Sequence, residues 1–249
     1  MLRAYGDGKL FGETYGSGPI RVVWLHGWAR RGQDFASAAT LLANMGIASV
    51  ALDMPGFGSS PAPSVSGGAQ LYSDLLTSAL SSMGDETLVL VGHSFGGKVA
   101  TVFAADHPEL IRALVLTGVP LVRTTPNRKS SISFRLLRWL HRRRIISDDR
   151  MESARQKYGS LDYGRTSGIM RDIFVTVVSE SHDSQLKQIE MPVVMVWGAE
   201  DLEVPVDVAR RAGELLRGQH SLTLVPDVGH FLPTDAPQSL VDAVVGVVT

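Results

Sequence analysis

Residues 87–105 read Thr87-Leu88-Val89-Leu90-Val91-Gly92-His93-Ser94-Phe95-Gly96-Gly97-Lys98-Val99-Ala100-Thr101-Val102-Phe103-Ala104-Ala105. An apolar run of strand length enters a Gly-x-Ser-x-Gly turn, and a helix-forming run leaves it. A sharp strand-to-helix turn forces its central residue into a strained backbone conformation, and glycines two positions to either side keep neighbouring Cβ atoms clear. The hydroxyl of Ser94 is then exposed at the end of a sheet, with the N–H of Phe95 beside it at the helix N-terminus. A surface turn holding a chance serine is the plain alternative. The buried-strand run before the turn and the helical run after it weigh against that.

A serine hydroxyl is a poor nucleophile at neutral pH; it needs a base, and the base needs an orienting acid. The chain offers both in the order serine, acid, histidine. The run Pro192-Val193-Val194-Met195-Val196-Trp197 reads as a buried strand and ends in Gly198-Ala199-Glu200-Asp201-Leu202-Glu203-Val204-Pro205. The strand-like Ser221-Leu222-Thr223-Leu224-Val225 is followed by Val228-Gly229-His230-Phe231-Leu232-Pro233. Asp201 and His230 therefore each follow a strand end, and loops at one sheet edge can converge. Asp201 also fits a simple turn former ahead of a helix at Pro205. Glu200 and Glu203 are alternative acids in the same loop. Of the seven histidines, His26 and His93 lie inside other motifs. His107, His141, His182 and His220 lack the strand-then-Gly-His context.

A further strand, Ile20-Arg21-Val22-Val23-Trp24-Leu25, ends in His26-Gly27-Trp28. Acyl transfer develops negative charge on an oxygen and needs donors fixed where that charge appears. The backbone N–H of Phe95 and that of Trp28 are the candidates, Gly27 allowing close backbone approach. Packing of the Trp28 ring in the core is compatible with this, because the donor is the main chain.

Taken in order, His26-Gly27-Trp28, Asp53-Met54-Pro55-Gly56-Phe57-Gly58-Ser59-Ser60, Gly92 to Gly97, Gly198 to Pro205 and Gly229-His230-Phe231 resemble the α/β-hydrolase superfamily across nearly the whole chain. The resemblance implies Ser94 as nucleophile, His230 as base, Asp201 as acid, and Trp28 and Phe95 as oxyanion donors. Superfamily members that dehalogenate or open epoxides carry Asp at the nucleophile position, and Ser94 argues against both. The short His-Gly-Trp differs from the His-Gly-Gly-Gly form of many lipases and esterases.

Composition agrees without adding specificity. A chain of 249 residues suffices for one α/β domain with a sizeable core. Hydrophobic residues make up 44% and charged residues 20%, as in ordinary globular proteins, and a formal net charge of −1 gives no bias toward nucleic acid. The absence of cysteine excludes disulfides and thiol catalysis. No signal-peptide pattern opens the chain and no apolar stretch reaches bilayer-spanning length, so a cytoplasmic location is expected. No oligomeric state is assigned.

Strands and helices alternate, which implies a mostly parallel central sheet with helices on both faces. Lys9 to Tyr15 reads as an N-terminal strand, in a hairpin with Arg21 to His26. The alternation breaks between 121 and 188, where the composition turns basic and helical. This segment is expected to be a helical cap, with 1–120 and 189–249 forming the hydrolase core. Phe134, Leu136, Leu137 and Leu140 form an apolar stripe that fits packing of the cap onto the core; Phe134 and Trp139 are candidates for a substrate-pocket roof. The Arg142, Arg143 and Arg144 cluster reads as a solvated face, or as an attractor for an anionic substrate.

Asp53 to Ser60 lacks the full Gly-x-Gly-x-x-Gly, no Walker pattern exists, and His and acidic residues are not at zinc spacing. Catalysis without metal or cofactor is expected, on a small-molecule acyl substrate. The first reading is hydrolysis of carboxylic esters on a small or medium apolar substrate. The alternatives are carbon–carbon bond hydrolysis of a diketone-like acid, and a slow-turnover ligand receptor of the same fold.

Overall fold

The computed structural model describes residues 2–81, 83–84, 86–123 and 166–248. Eight strands form one sheet: β1 (Leu2–Tyr5), β2 (Leu10–Tyr15), β3 (Val22–Leu25), β4 (Ser49–Asp53), β5 (Leu88–His93), β6 (Ile111–Thr117), β7 (Val193–Gly198) and β8 (His220–Val225), in the spatial order β1-β2-β4-β3-β5-β6-β7-β8. β3 to β8 run parallel, and β1 and β2 are antiparallel at one edge. The N-terminal hairpin expected between Lys9–Tyr15 and Arg21–His26 is not formed. β2 pairs instead with β1 and β4. Gly6, Asp7 and Gly8 all take positive φ and turn β1 directly into β2. β3 is apolar on both faces and goes to the sheet interior, between β4 and β5.

Period-two alternation along the central strands divides the core. Val22, Trp24, Val89, Val91, Ala113 and Val115 face α1 (Ala36–Asn44) and the C-terminal helix Pro237–Val248. Val23, Leu25, Leu88, Leu90, Leu114 and Leu116 face the other way, onto α2 (Ala69–Ser81) and α3 (Phe95–Asp106). Strands buried on both sides must be apolar throughout, which is why these segments read as continuous runs. α4 (Gly168–Ser179) and α5 (Asp183–Leu186) lie within the segment expected as a cap. α6 (Val206–Gly213), α7 (Leu232–Asp235) and α8 (Pro237–Val248) complete the described helices. Phe134, Trp139 and the three arginines at 142–144 lie outside the described residues. No described helix is long and apolar enough to cross a membrane.

Candidate active site

Ser94 stands between β5 and α3 with φ 50° and ψ −113°, a left-handed conformation for a residue with a Cβ. Its N–H donates to the carbonyl of Thr117 at the end of β6, 3.0 Å away. The turn can be this tight because its neighbours are glycine: a Cβ on Gly92 would lie 2.4 Å from Gly97 Cα, and one on Gly96 would lie 2.1 Å from the Leu25 carbonyl oxygen.

The loops after β7 and β8 are tied together by main-chain bonds. Ala199 N–H reaches the Val225 carbonyl at 2.9 Å, and Glu200 N–H the Val228 carbonyl at 3.0 Å. Asp201 and His230 meet as a result. His230 Nδ1–H donates to Asp201 Oδ2 at 2.8 Å, and Asp201 Oδ1 accepts the N–H groups of Glu203 at 2.9 Å and Val204 at 2.8 Å. The carboxylate is thus held by three donors, with its side chain 1% exposed. The tautomer follows from the bonding: Nδ1 carries the proton and Nε2 has its lone pair free to accept one.

Two further contacts join this pair to the chain neighbours of Ser94 and of its Thr117 partner. His93, the residue before it, donates from Nε2 to the carbonyl of His230 at 2.9 Å, and the two imidazoles lie 4.8 Å apart. Burial first, and then the neighbouring His230, push the His93 pKa down to about 3, so it stays neutral. Gly118, at φ +59°, lies under the pair; a Cβ there would be 2.9 Å from His230 Cε1 and 3.4 Å from Asp201 Oδ2.

The loop after β3 approaches from the other side. An ideal Cβ on Gly27 would be 3.5 Å from Ser94 Cβ. The Gly27 carbonyl is pinned by two donors, His26 Nδ1–H at 2.7 Å and the N–H of Arg30 at 3.2 Å. In a trans peptide the next N–H points opposite to the carbonyl, so these bonds also fix the Trp28 N–H. His26 accepts the Met54 N–H on Nε2 at 2.9 Å, and burial holds its pKa down to about 4. Asp53 orders the following loop by accepting the N–H groups of Gly32 and Ser59. That loop delivers Phe57. The rings of Phe57, Phe95 and Phe174 pack around Trp28 at centroid separations of 4.9, 5.2 and 5.0 Å.

Ser94, Asp201, His230, Trp28 and Phe95 therefore all gather at the C-terminal edge of the parallel strands, where α/β sheets bind ligands. A groove of about 650 Å³ lined by Arg112, Pro192, His220 and Asp242 lies at the other end of β6 to β8 and shares none of them. Sequence reasoning missed Gly118 and the positioning bonds of His26 and His93. A glycine directly after a buried strand at the same sheet edge was the available signal for Gly118. Among the described residues no group of three or more His, Asp or Glu side chains converges as a metal site would require.

The family described as alpha/beta hydrolase fold matches residues 20–147. The chain belongs to the α/β-hydrolase family. Among its α/β-hydrolase relatives is the pimeloyl-[acyl-carrier protein] methyl ester esterase of Chromobacterium violaceum, 28% identical over 226 residues that cover 84% of this chain and 86% of that protein. A 2-hydroxy-6-oxononadienedioate/2-hydroxy-6-oxononatrienedioate hydrolase of Paraburkholderia phymatum is 28% identical over 230 residues, 79% of this chain and 76% of that one. The solved esterase from Exiguobacterium antarcticum superposes with a TM-score of 0.74 at 20% identity, covering 100% of this chain and 98% of that one, and so shares the fold.

Proposed function

We propose that this α/β-hydrolase is a cofactor-independent serine hydrolase of carboxylic esters, acting on small or medium apolar acyl groups. The observation that carries the reading is the Asp201–His230 hydrogen bond of 2.8 Å at the sheet edge where Ser94 is held at φ 50°. In this reading Ser94 Oγ adds to the ester carbonyl while His230 Nε2 takes its proton. The oxyanion is received by the N–H groups of Trp28 and Phe95. Collapse breaks the bond to the alkoxy oxygen, which leaves with the proton from Nε2. Water, deprotonated by Nε2, then releases the acid and restores Ser94. Asp201 keeps the imidazole in its productive tautomer throughout.

The aromatic wall of Trp28, Phe57, Phe95 and Phe174 supports an apolar acyl group. Phe174 comes from α4, which supports a cap formed by 121–188 over a core of 1–120 and 189–249. The similarity to a hydrolase named for dioate substrates supports a second reading, carbon–carbon bond hydrolysis at the same serine.

The test is turnover of a panel of neutral esters. Ser94→Ala is expected to stay folded and to lose nearly all hydrolysis, and Asp201→Asn to lose on the order of 10⁴-fold in kcat because a neutral amide favours the wrong tautomer. Wild-type rates in folded Ser94→Ala would overturn the serine mechanism.

A further inference from the structure

Glu203 sits where the ester-hydrolase reading sends the leaving group. Its Oε2 lies 3.8 Å from His230 Nε2, the nitrogen opposite the one bound to Asp201. That separation is too long for a hydrogen bond, so Nε2 stays available. The position is not left to chance. The Glu203 N–H is one of the donors that hold Asp201 Oδ1, so the main chain of Glu203 is fixed by the same acid that orients His230. The side chain is 64% exposed and lies beside an imidazole that is itself only 8% exposed. Arg30, whose guanidinium lies 5.1 Å over the ring of Phe231, is paired with Asp34 at 2.5 Å and so is already matched in charge.

We propose that Glu203 is a specificity-determining residue that disfavours substrates carrying a negative charge on the leaving-group side of the scissile bond. The inference rests on the serine-esterase reading. A leaving oxygen that takes its proton from Nε2 must come within about 3 Å of it. Any carboxylate a few bonds further along the leaving group is then brought close to the Glu203 carboxylate, at the boundary between the buried imidazole and the exposed glutamate. Like charges several ångströms apart at such a boundary, screened on the exposed side, are worth roughly a three- to tenfold discrimination. The acyl side, walled by aromatic rings, gains no charge selectivity from Glu203. Neutral alcohols are therefore the preferred leaving groups, and a substrate whose departing half is an acid is disfavoured.

The experiment compares phenyl acetate with 3-carboxyphenyl acetate, which share an acyl group and differ in leaving-group charge. The ratio of their kcat/KM values is measured for wild type, Glu203→Gln and Glu200→Gln at low salt and at 0.5 M salt. Intrinsic ester reactivity cancels between variants. The expected result is a neutral-to-acid ratio that falls about three- to tenfold in Glu203→Gln and contracts with salt in wild type. In Glu200→Gln, which removes the same charge from the same loop, the ratio stays at its wild-type value. A ratio unaltered by Glu203→Gln, or altered equally by Glu200→Gln, overturns the assignment to Glu203 while leaving the esterase reading intact. Loss of neither ester activity in Ser94→Ala, or cleavage of neither ester by wild type, overturns both.

Discussion

Ser94 is held at φ 50°, a conformation that costs on the order of 1–3 kcal/mol for a residue with a side chain. The surroundings offset this through the bond to Thr117 and the close glycine packing of the turn. Gly118 plays the matching part beneath His230. Its φ of +59° and the 2.9 Å from an added Cβ to His230 Cε1 leave no room for a methyl group unless the imidazole moves. Gly118→Ala is therefore expected to lower kcat by about 10²-fold or more, since a displacement near 1 Å at a catalytic group has that effect. Circular dichroism should still report the folded sheet, and an esterase assay at wild-type rates would remove Gly118 from the positioning of His230. Ser94, Asp201 and His230 were legible in the sequence as candidates that meet at one sheet edge, because each stands in its own local pattern, a strand run followed by a glycine-containing loop. Gly118, His26 and Glu203 were not legible in these roles. What they do depends on contacts between segments far apart in the chain, such as the bond between His26 and Met54, 28 positions apart.

The strands and helices were readable to within a few residues wherever burial on two faces made the pattern strong, as in β5, β7 and α3. Pairing was less legible. Alternation in Lys9 to Tyr15 identifies a strand but is silent on its neighbour; the positive-φ turn at Gly6 to Gly8 decided for β1. α4, which buries Ile173, Phe174 and Val177 on one face, is seated by its C-terminal end as well. At its C-terminus Lys98 Nζ donates to the Val177 carbonyl at 2.7 Å and Arg123 donates to that of Ser179, so cations meet the negative end of the helix. Just beyond, Glu180 accepts the N–H of Ala69 and caps the start of α2. Burial pushes the Lys98 pKa down to about 8, countered by Glu180. With its C-terminus fixed, α4 presents Phe174 to Trp28. Phe174→Ala should vacate part of this wall and shift the preference among neutral esters toward longer acyl chains. Each methylene accommodated is worth about 1–3 kcal/mol in an apolar pocket. Assay of a series from acetate to decanoate checks this, and an unchanged order in the folded variant would place Phe174 outside the acyl pocket.

At the scale of the molecule, the two apolar faces of the sheet carry the fold, and three histidines are buried in or against them as neutral groups. His26 and His93 hold the loops around Ser94. His182 donates its N–H to the Leu121 carbonyl at the return of the chain from 121–188 into the core. Burial is the leading cause in each case, and the pKa values are lowered to about 4, 3 and 4 respectively. In the unfolded chain all three return to about 6.5. Between these limits the unfolded state binds more protons than the folded one, so folding stability rises with pH there. The contribution is fully present above about pH 6.5 and is lost as pH falls through that value toward 4 and then 3. Each group changes stability by up to about 1.4 kcal/mol per pH unit inside its window, which for a chain of this size corresponds to roughly 2–4 °C in Tm per kcal/mol. The melting temperature is expected to fall by about 5 °C or more from pH 6.5 to pH 5, above the range in which exposed carboxylates titrate. His182 makes the informative variant. Its Nε2 is buried without a hydrogen-bond partner and lies 3.9 Å from Glu180 Oε2. His182→Asn should lessen the slope of Tm against pH over this interval by about a third. A slope that does not change would mean that His182 takes up no extra proton on unfolding and is charged in the folded protein.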